Sequence, residues 1–347
     1  MISQKIPARK INEILMKNYP KQIEGEVIEI EELEQGYMNL VFRIGSEKTS
    51  YICIIYNRNR YNDSKAQRYL SKSYQAAEFL SQNKIPVRTA YKNRNGGLIS
   101  RADFGDGKQR LFGLYKFLSG STIPWESYTR RHLRSLGRTL NQIHRTWAEY
   151  ENATGDFVKW NEYIEKDSKS MLEYFNRNEK FIKIKLGVKL DFSAYDLLIK
   201  SIQTTFQTGF QLIHCDFVRG NILFSQKKLP KVYPITGVLD FEKVMAAPIQ
   251  VDLARTLAFL LVDCKYKTRE EIIKYFITEG YLWKVEKGIP DSKLNFNEIQ
   301  KLVNYFWMRD LWKLLQCNPY EDLSLNFHYD KTVQKLIKQK LILSIDP

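Results

Sequence analysis

The stretch HCDFVRGN, residues 214–221, lies between two apolar runs, QLI before it and ILF after it. Two short strands bound for the interior are therefore joined by a tight loop. That loop carries a carboxylate (Asp216), a cation (Arg219), a glycine (Gly220) and a carboxamide (Asn221). Polar groups between buried strands cost local order, so the loop needs a use. Taken alone, Asp216 could be a turn aspartate bonded to its own backbone. A second stretch, GVLDFEKVMAAPIQVDLAR at residues 237–255, argues for more. It too is an apolar strand ending in a carboxylate, Asp240, followed by a turn and by Asp252 entering a helix. Two carboxylates and a carboxamide at the ends of neighbouring strands suit a hard cation. Mg²⁺ takes one or two carboxylates and leaves its other positions to phosphates and water.

The surrounding pattern divides the chain in two. Residues 23–56 alternate as three strands of an antiparallel meander, with QGYMN as a long turn. Residues 63–83 read as a helix capped by Asp63 or Ser64. IPVRTAYKN, GGLISRAD and RLFGLYKFL return to strand. After LSGSTIPW the periodicity becomes helical: Leu133, Leu136, Leu140, Ile143 and Trp147 share one face. Residues 160–208 hold two or three amphipathic helices. REEIIKYFITEGYLW, NEIQKLVNYFWMRDLWKLL and DKTVQKLIKQKLIL complete a helical C-terminal part. MISQKIPARKINEILMKNYP reads as a short amphipathic helix without the apolar core of a signal peptide. Gly120 and Gly137 stand where a turn or close packing needs a small residue. Trp307 and Trp312, five apart, point in different directions on a helix and read as core, while His132, His144 and His328 read as packing or surface residues.

HxDxxxxN, an apolar strand with DFE, then P-x-x-x-DLA resembles the signature of the aminoglycoside phosphotransferase-like kinases, the group that includes choline and homoserine kinase-like enzymes. The matching residues are His214, Asp216, Asn221, Asp240, Phe241, Glu242, Pro248, Asp252, Leu253 and Ala254. QGYMNLVFRI resembles the family's phosphate-loop hairpin through Gly36 and Asn39. NKIPV resembles the stretch after the first helix. LYKFLSG, with Tyr115 and Phe117, resembles the hinge strand that bonds adenine through its backbone. The likeness spans most of residues 23–260 and is most specific in its second half.

The resemblance implies an α+β, bilobal protein-kinase-like fold: a small antiparallel-sheet lobe over residues 1–115, a hinge at about 114–120, and a larger, mainly helical lobe over 116–347. It implies a kinase using ATP, or GTP, and Mg²⁺ to phosphorylate a hydroxyl of a small acceptor, either an antibiotic such as an aminoglycoside or a metabolite such as an amino alcohol or sugar. Asp216 would accept the hydroxyl proton, Asn221 and Asp240 would hold Mg²⁺, His214 would anchor the loop and Asp252 would support it from inside. Cys215 stands where the family often has glycine. The family's third-strand lysine is missing, since Cys53 or Ile54 occupies its place, and its helix glutamate would fall near Ser73 or Tyr74. Lys48, Arg58, Arg60, Lys65 and Arg68 are nearby cations, although Arg58 lies ~13 Å along the strand direction from Ile54. That departure keeps open a catalytically weak or inactive relative of the spore-coat type. A kinase acting on proteins is disfavoured, because no APE-like segment follows Asp240.

Composition narrows the partners. The net charge of +15 suggests nucleic acid or an anionic surface, yet the cations are spread along the 347 residues and usually sit beside acids, with no nucleic-acid-binding signature. Residues 255–347 carry 15 Lys and Arg against 12 Asp and Glu. That balance suits a neutral, zwitterionic or anionic acceptor better than a polycation, although Asp310, Glu321 or Asp322 could build a local acidic site. No apolar run is long enough to span a membrane. The scattered Cys53, Cys215, Cys264 and Cys317 read as buried free thiols in a reducing cytoplasm. Expected partners are a nucleotide and a small acceptor, without nucleic acid or membrane, in a monomer or homodimer.

Overall fold

In the computed structural model, the structure describes residues 6–33, 39–150, 155, 157–226, 233–283, 294–317 and 326–344. Helix α1 (Ala8–Asn18) precedes strands β1 (Val27–Leu33), β2 (Leu40–Ser46) and β3 (Ser50–Ile55). Helix α2 (Ser64–Gln82) follows, then β4 (Ser100–Asp103) and β5 (Gln109–Lys116). The five strands form one antiparallel sheet in the order β1-β2-β3-β5-β4. Asp63 starts α2 by accepting the Ala66 N–H at 2.7 Å. Ile11, Leu15 and Tyr19 from the α1 region pack with Phe42, Ile44, Tyr51, Cys53, Phe112 and Leu114 in one core.

IPVRTAYKN is not a strand. It makes isolated bridges, Val87 to Val238 and Ala90 to Tyr115, and otherwise runs as an irregular segment. Lys84, just before it, has a positive φ of 64° that turns the chain out of α2.

The helical part begins with α3 (Arg130–Ala148), then α4 (Trp160–Arg177), α5 (Glu179–Leu186), the short β6 (Val188–Leu190) and α6 (Phe192–Thr205). Strands β7 (Gln211–Ile213), β8 (Ile222–Phe224), β9 (Ile235–Val238) and β10 (Met245–Ala247) follow, then α7 (Ile249–Asp263). Strand β7 pairs with β10, and β8 with β9. The stretch REEIIKYFITEGYLW is one α-turn, α8 (Arg269–Ile272), that widens into a π-helix over Ile273–Tyr281. Helices α9 (Phe296–Cys317) and α10 (Phe327–Lys338) and strand β11 (Ile342–Ser344) complete the chain. The tail therefore does not stay helical to LIL. Lys340, at φ 56°, reverses the chain, and Ile342–Ser344 pairs with β6.

All five residues of the 133–147 face are completely buried, and Trp307 and Trp312 are buried on α9. Gly137 is required where α3 meets the π-helix: a Cβ there would collide with the Phe276 carbonyl and the Tyr281 amide. Gly120, at φ 138°, has no room for a side chain against Thr236 and the Phe224 carbonyl. Cys53, Cys215 and Cys264 are buried free thiols. No described helix is long and apolar enough to cross a membrane.

The chain divides into two compact units. One comprises Met1–Thr122, Gly220–Leu229 and Tyr233–Lys243, and the other comprises Ile123–Arg219, Pro230–Val232 and Val244–Pro347. The first unit is discontinuous in sequence, because the β8/β9 hairpin joins it. This division assigns Asn221 and Asp240 to the sheet-bearing unit and Asp216 to the helical one.

Candidate active site

In the helical unit the loop after β7 is built around Asp252. This residue lies in the first turn of α7 and is completely buried. Its Oδ2 accepts the His214 N–H and its Oδ1 the Cys215 N–H, each at 2.8 Å. His144 Nε2 lies 3.0 Å from the same carboxylate, and its Nδ1 lies 2.7 Å from the Tyr281 hydroxyl. Thr256 Oγ1 donates to the Phe217 carbonyl at 2.9 Å, so α7 holds the loop on both sides of Asp216. His214, fully buried, accepts the Asp216 N–H on Nδ1 at 3.2 Å. Cys215 has φ 58°, the left-handed region that explains a glycine preference at this place. Burial pushes its thiol up to about 12, ahead of the nearby charge of Asp252.

Asp216 is 6% exposed. Its charge acts on Arg255, a member of a buried ionic cluster in the same unit. Arg255 donates from Nη1 to both carboxylate oxygens of Asp310 at 2.8 Å. Asp167 accepts from Tyr305 at 2.6 Å and from Arg309 Nε at 3.1 Å. Burial works against the Arg255 charge, and the carboxylates of Asp310 and Asp216 outweigh it, so its pKa is raised. Asp310 thus serves Arg255 as counter-ion.

In the sheet-bearing unit, pairing of β8 with β9 sets Ile222 opposite Val238, and the Leu239 N–H donates to the Asn221 carbonyl at 2.8 Å. Asn221 closes the turn Arg219–Asn221, and Asp240 follows β9 at φ 56°. The two residues thus stand at adjoining ends of one hairpin. They are the oxygen donors that could hold a hard cation. Among the described residues, no group of three or more His, Cys, Asp and Glu could hold a metal by itself. A sparse oxygen pair fits a cation that keeps phosphates and water in its shell.

Glu242, two residues on, is the residue that sequence reasoning left without a task. Asn39 Nδ2 donates to its Oε1 at 2.5 Å, and the Tyr61 hydroxyl donates to Oε2 at 3.0 Å. The Asn57 N–H donates to Asn39 Oδ1 at 2.9 Å, so Asn39 clasps the β2 entry to the chain after Asp240. Burial, then the charge of Asp240, pushes the Glu242 carboxyl up to about 8. The unassigned acid of DFE was the available signal, but its partners lie 203 and 181 residues away and could not be read from spacing. Gly36 lies outside the described residues. Tyr115 is fully buried on β5, its hydroxyl 2.5 Å from that of Tyr56. Phe117, just past β5, is 37% exposed beneath the Arg43 guanidinium.

A family model described as the phosphotransferase enzyme family (APH) matches residues 29–269. Among curated proteins no match is found. Among solved structures, the chain is similar to the amicoumacin kinase hAmiN at 18% identity and a TM-score of 0.71, over 98% of this chain and 95% of that one. It is similar to an aminopropanol kinase associated with a microcompartment at 14% identity and a TM-score of 0.62, over 96% and 98%. Spectinomycin phosphotransferase APH(9)-Ia shares 17% identity and a TM-score of 0.57, over 95% of each chain. At these identities the likeness speaks for the kinase-like fold, while the match over residues 29–269 speaks for descent. The chain belongs to the phosphotransferase enzyme family.

Proposed function

We propose that the chain transfers the γ-phosphoryl group of a nucleoside triphosphate to a hydroxyl of a small acceptor, with Asp216 orienting that hydroxyl and taking its proton. The observation that carries this reading is the hairpin that brings Asn221 and Asp240 together, with Asn221 only five residues beyond Asp216 in the same loop. Nucleotide binding is further supported by the neighbours: the amicoumacin kinase structure holds AMP-PNP and Ca²⁺, and the spectinomycin phosphotransferase structure holds ADP. Asn221 and Asp240 would hold Mg²⁺, which when bound neutralises phosphate charge. The chain's own residues would do the rest by positioning. Asp252 fixes the loop backbone by accepting two N–H groups, His214 fixes Asp216 by accepting the Asp216 N–H on Nδ1, and Asp216 would receive the proton.

For the acceptor we propose an amino alcohol or a related small hydroxyl compound, an antibiotic included. Amicoumacin, spectinomycin and aminopropanol name such molecules for the neighbours. The buried pairs Arg255–Asp310 and Arg309–Asp167 in the helical unit compensate one another and so add no net charge that would oppose a zwitterionic or amine-bearing molecule.

A catalytically silent binding protein is the second reading, and Ile54 favours it. This residue or Cys53 stands at the place of the family's lysine, and both are buried. Thermal unfolding with Mg²⁺ and ATP or GTP, followed by ADP or GDP release across a panel of hydroxyl acceptors, separates the two. The kinase reading predicts a nucleotide-dependent rise in Tm and release with at least one acceptor. A Tm indifferent to both nucleotides contradicts it.

A further inference from the structure

We propose that Arg88 engages the phosphates of the bound nucleotide, standing in for the absent third-strand lysine from a different segment of the sheet-bearing unit. This inference rests on the kinase reading above.

The usual lysine–glutamate pair has no counterpart. Cys53 or Ile54 on β3 and Ser73 or Tyr74 on α2 stand at the corresponding places, and all four are buried. Aromatic side chains fill the neighbourhood. The Tyr56 and Tyr115 hydroxyls meet at 2.5 Å, and the Tyr74 ring lies 4.6 Å from that of Tyr115 and 6.2 Å from that of Phe241, the residue after Asp240.

Into this cluster the irregular segment after α2 delivers a guanidinium. Its backbone is tied on both sides. The Arg88 N–H donates to the Val238 carbonyl at 2.9 Å, and Val238 N–H donates to the Pro86 carbonyl at 2.7 Å. On the other side, Lys116 N–H donates to Thr89 at 3.0 Å, and Tyr91 N–H donates to Leu114 at 2.8 Å. Arg88 is thereby wedged between β5, which carries Tyr115, and β9, which leads to Asp240. The charges and phenols that act on its guanidinium are Tyr74, Asp240, Tyr115 and Tyr56.

One observation says that this guanidinium is short of partners. Its Nε is buried and has no hydrogen-bond partner among the described residues, although the residue as a whole keeps some solvent exposure. The three phenols are held above their ordinary pKa by burial and are neutral near pH 7, which leaves Asp240 to balance the charge. A desolvated guanidinium beside a carboxylate destined for a cation lacks a counter-charge once that cation arrives. Phosphate oxygens supply one, and the planar fork of arginine suits them. None of the five cations nearest the third strand in sequence is needed for the task.

The competing role is purely structural, with Arg88 as counter-ion to Asp240. Calorimetric titration of the full chain with Mg-ATP, Mg-ADP, AMP and adenosine separates the two, using wild type, Arg88→Met and Arg88→Lys. Phosphate engagement predicts that Arg88→Met weakens ATP and ADP about tenfold or more while adenosine changes less than about twofold, with Arg88→Lys in between. Should Arg88→Met fail to fold, the ATP-to-adenosine affinity ratio of Arg88→Lys against wild type carries the same comparison. Equal losses for all four ligands, or no loss for any, overturn the role of Arg88 and leave the kinase reading standing. A wild-type chain that binds none of the four overturns both.

Discussion

The Asp252 carboxylate accepts the backbone N–H of Cys215 at 2.8 Å from within the first turn of α7. The same group takes the His214 N–H and faces His144, so one buried side chain holds the entry to the loop. Replacing it strands donors that have no water to turn to. Asp252→Leu is expected to cost on the order of 3 kcal/mol, read as a lowered denaturant midpoint at unchanged m-value. A midpoint equal to wild type contradicts this support.

The left-handed backbone at Cys215 yields a second expectation. Glycine relieves the φ of 58° but gives up a buried side chain, so Cys215→Gly should stay within about 1 kcal/mol of wild type. Cys215→Val, branched at Cβ, should lose about 2 kcal/mol or more. Chemical denaturation of the two variants side by side checks the order, and the reverse order would sink the backbone explanation.

His132 gives a pH signature. It is the third residue of α3, where its Nδ1 accepts the Thr129 N–H at 3.0 Å while the Thr129 side chain caps the helix. Burial, then Lys267, lowers its pKa from 6.5 to about 4. The folded state therefore resists a proton that the unfolded chain accepts. Stability falls as pH drops from about 6.5 towards 4, by on the order of 2 kcal/mol from this group. Glutamine keeps an acceptor at the same place without titrating. The difference in unfolding free energy between wild type and His132→Gln should thus change across that window and stay flat above pH 7. A difference independent of pH contradicts the assignment.

Gly137 is the contact point of α3 with the π-helix, where a Cβ would also come within 2.8 Å of Gly280 C. Backbone, not a flexible side chain, stands in the way. Gly137→Ala is expected to lower stability by about 2–4 kcal/mol despite alanine's better helix propensity. Differential scanning calorimetry that finds alanine neutral or stabilising would show that the helices separate freely.

How far the sequence could be read depends on the range of the interaction. The helical face from Leu133 to Trp147 follows from a local period, and its burial needs only a partner of any kind. The loop from His214 to Asn221 and the strand ending at Asp240 are marked by composition and order along the chain. IPVRTAYKN carries enough apolar and β-branched residues to read as a strand, yet its carbonyls and amides go to two different strands in turn, which no local pattern encodes. The tail reads as helix until Lys340 reverses it, and the pairing partner Val188–Leu190 is remote in sequence. Glu242, Asn39 and Tyr61 find one another across about half of the chain or more, and Arg88 reaches the vicinity of Asp240 the same way. Such long-range polar partners leave no spacing to detect.

The most direct test of the central claim compares Asp216→Ala with wild type in two assays on one preparation: the affinity for Mg-ATP, and phosphoryl transfer to an acceptor that the wild-type chain turns over. With Asp216 as the proposed proton acceptor, its removal with Asn221 and Asp240 left in place predicts transfer reduced by about a thousandfold or more, with nucleotide affinity within about threefold of wild type. Transfer at the wild-type rate in Asp216→Ala would contradict the assignment of the HCDFVRGN loop as the centre of catalysis.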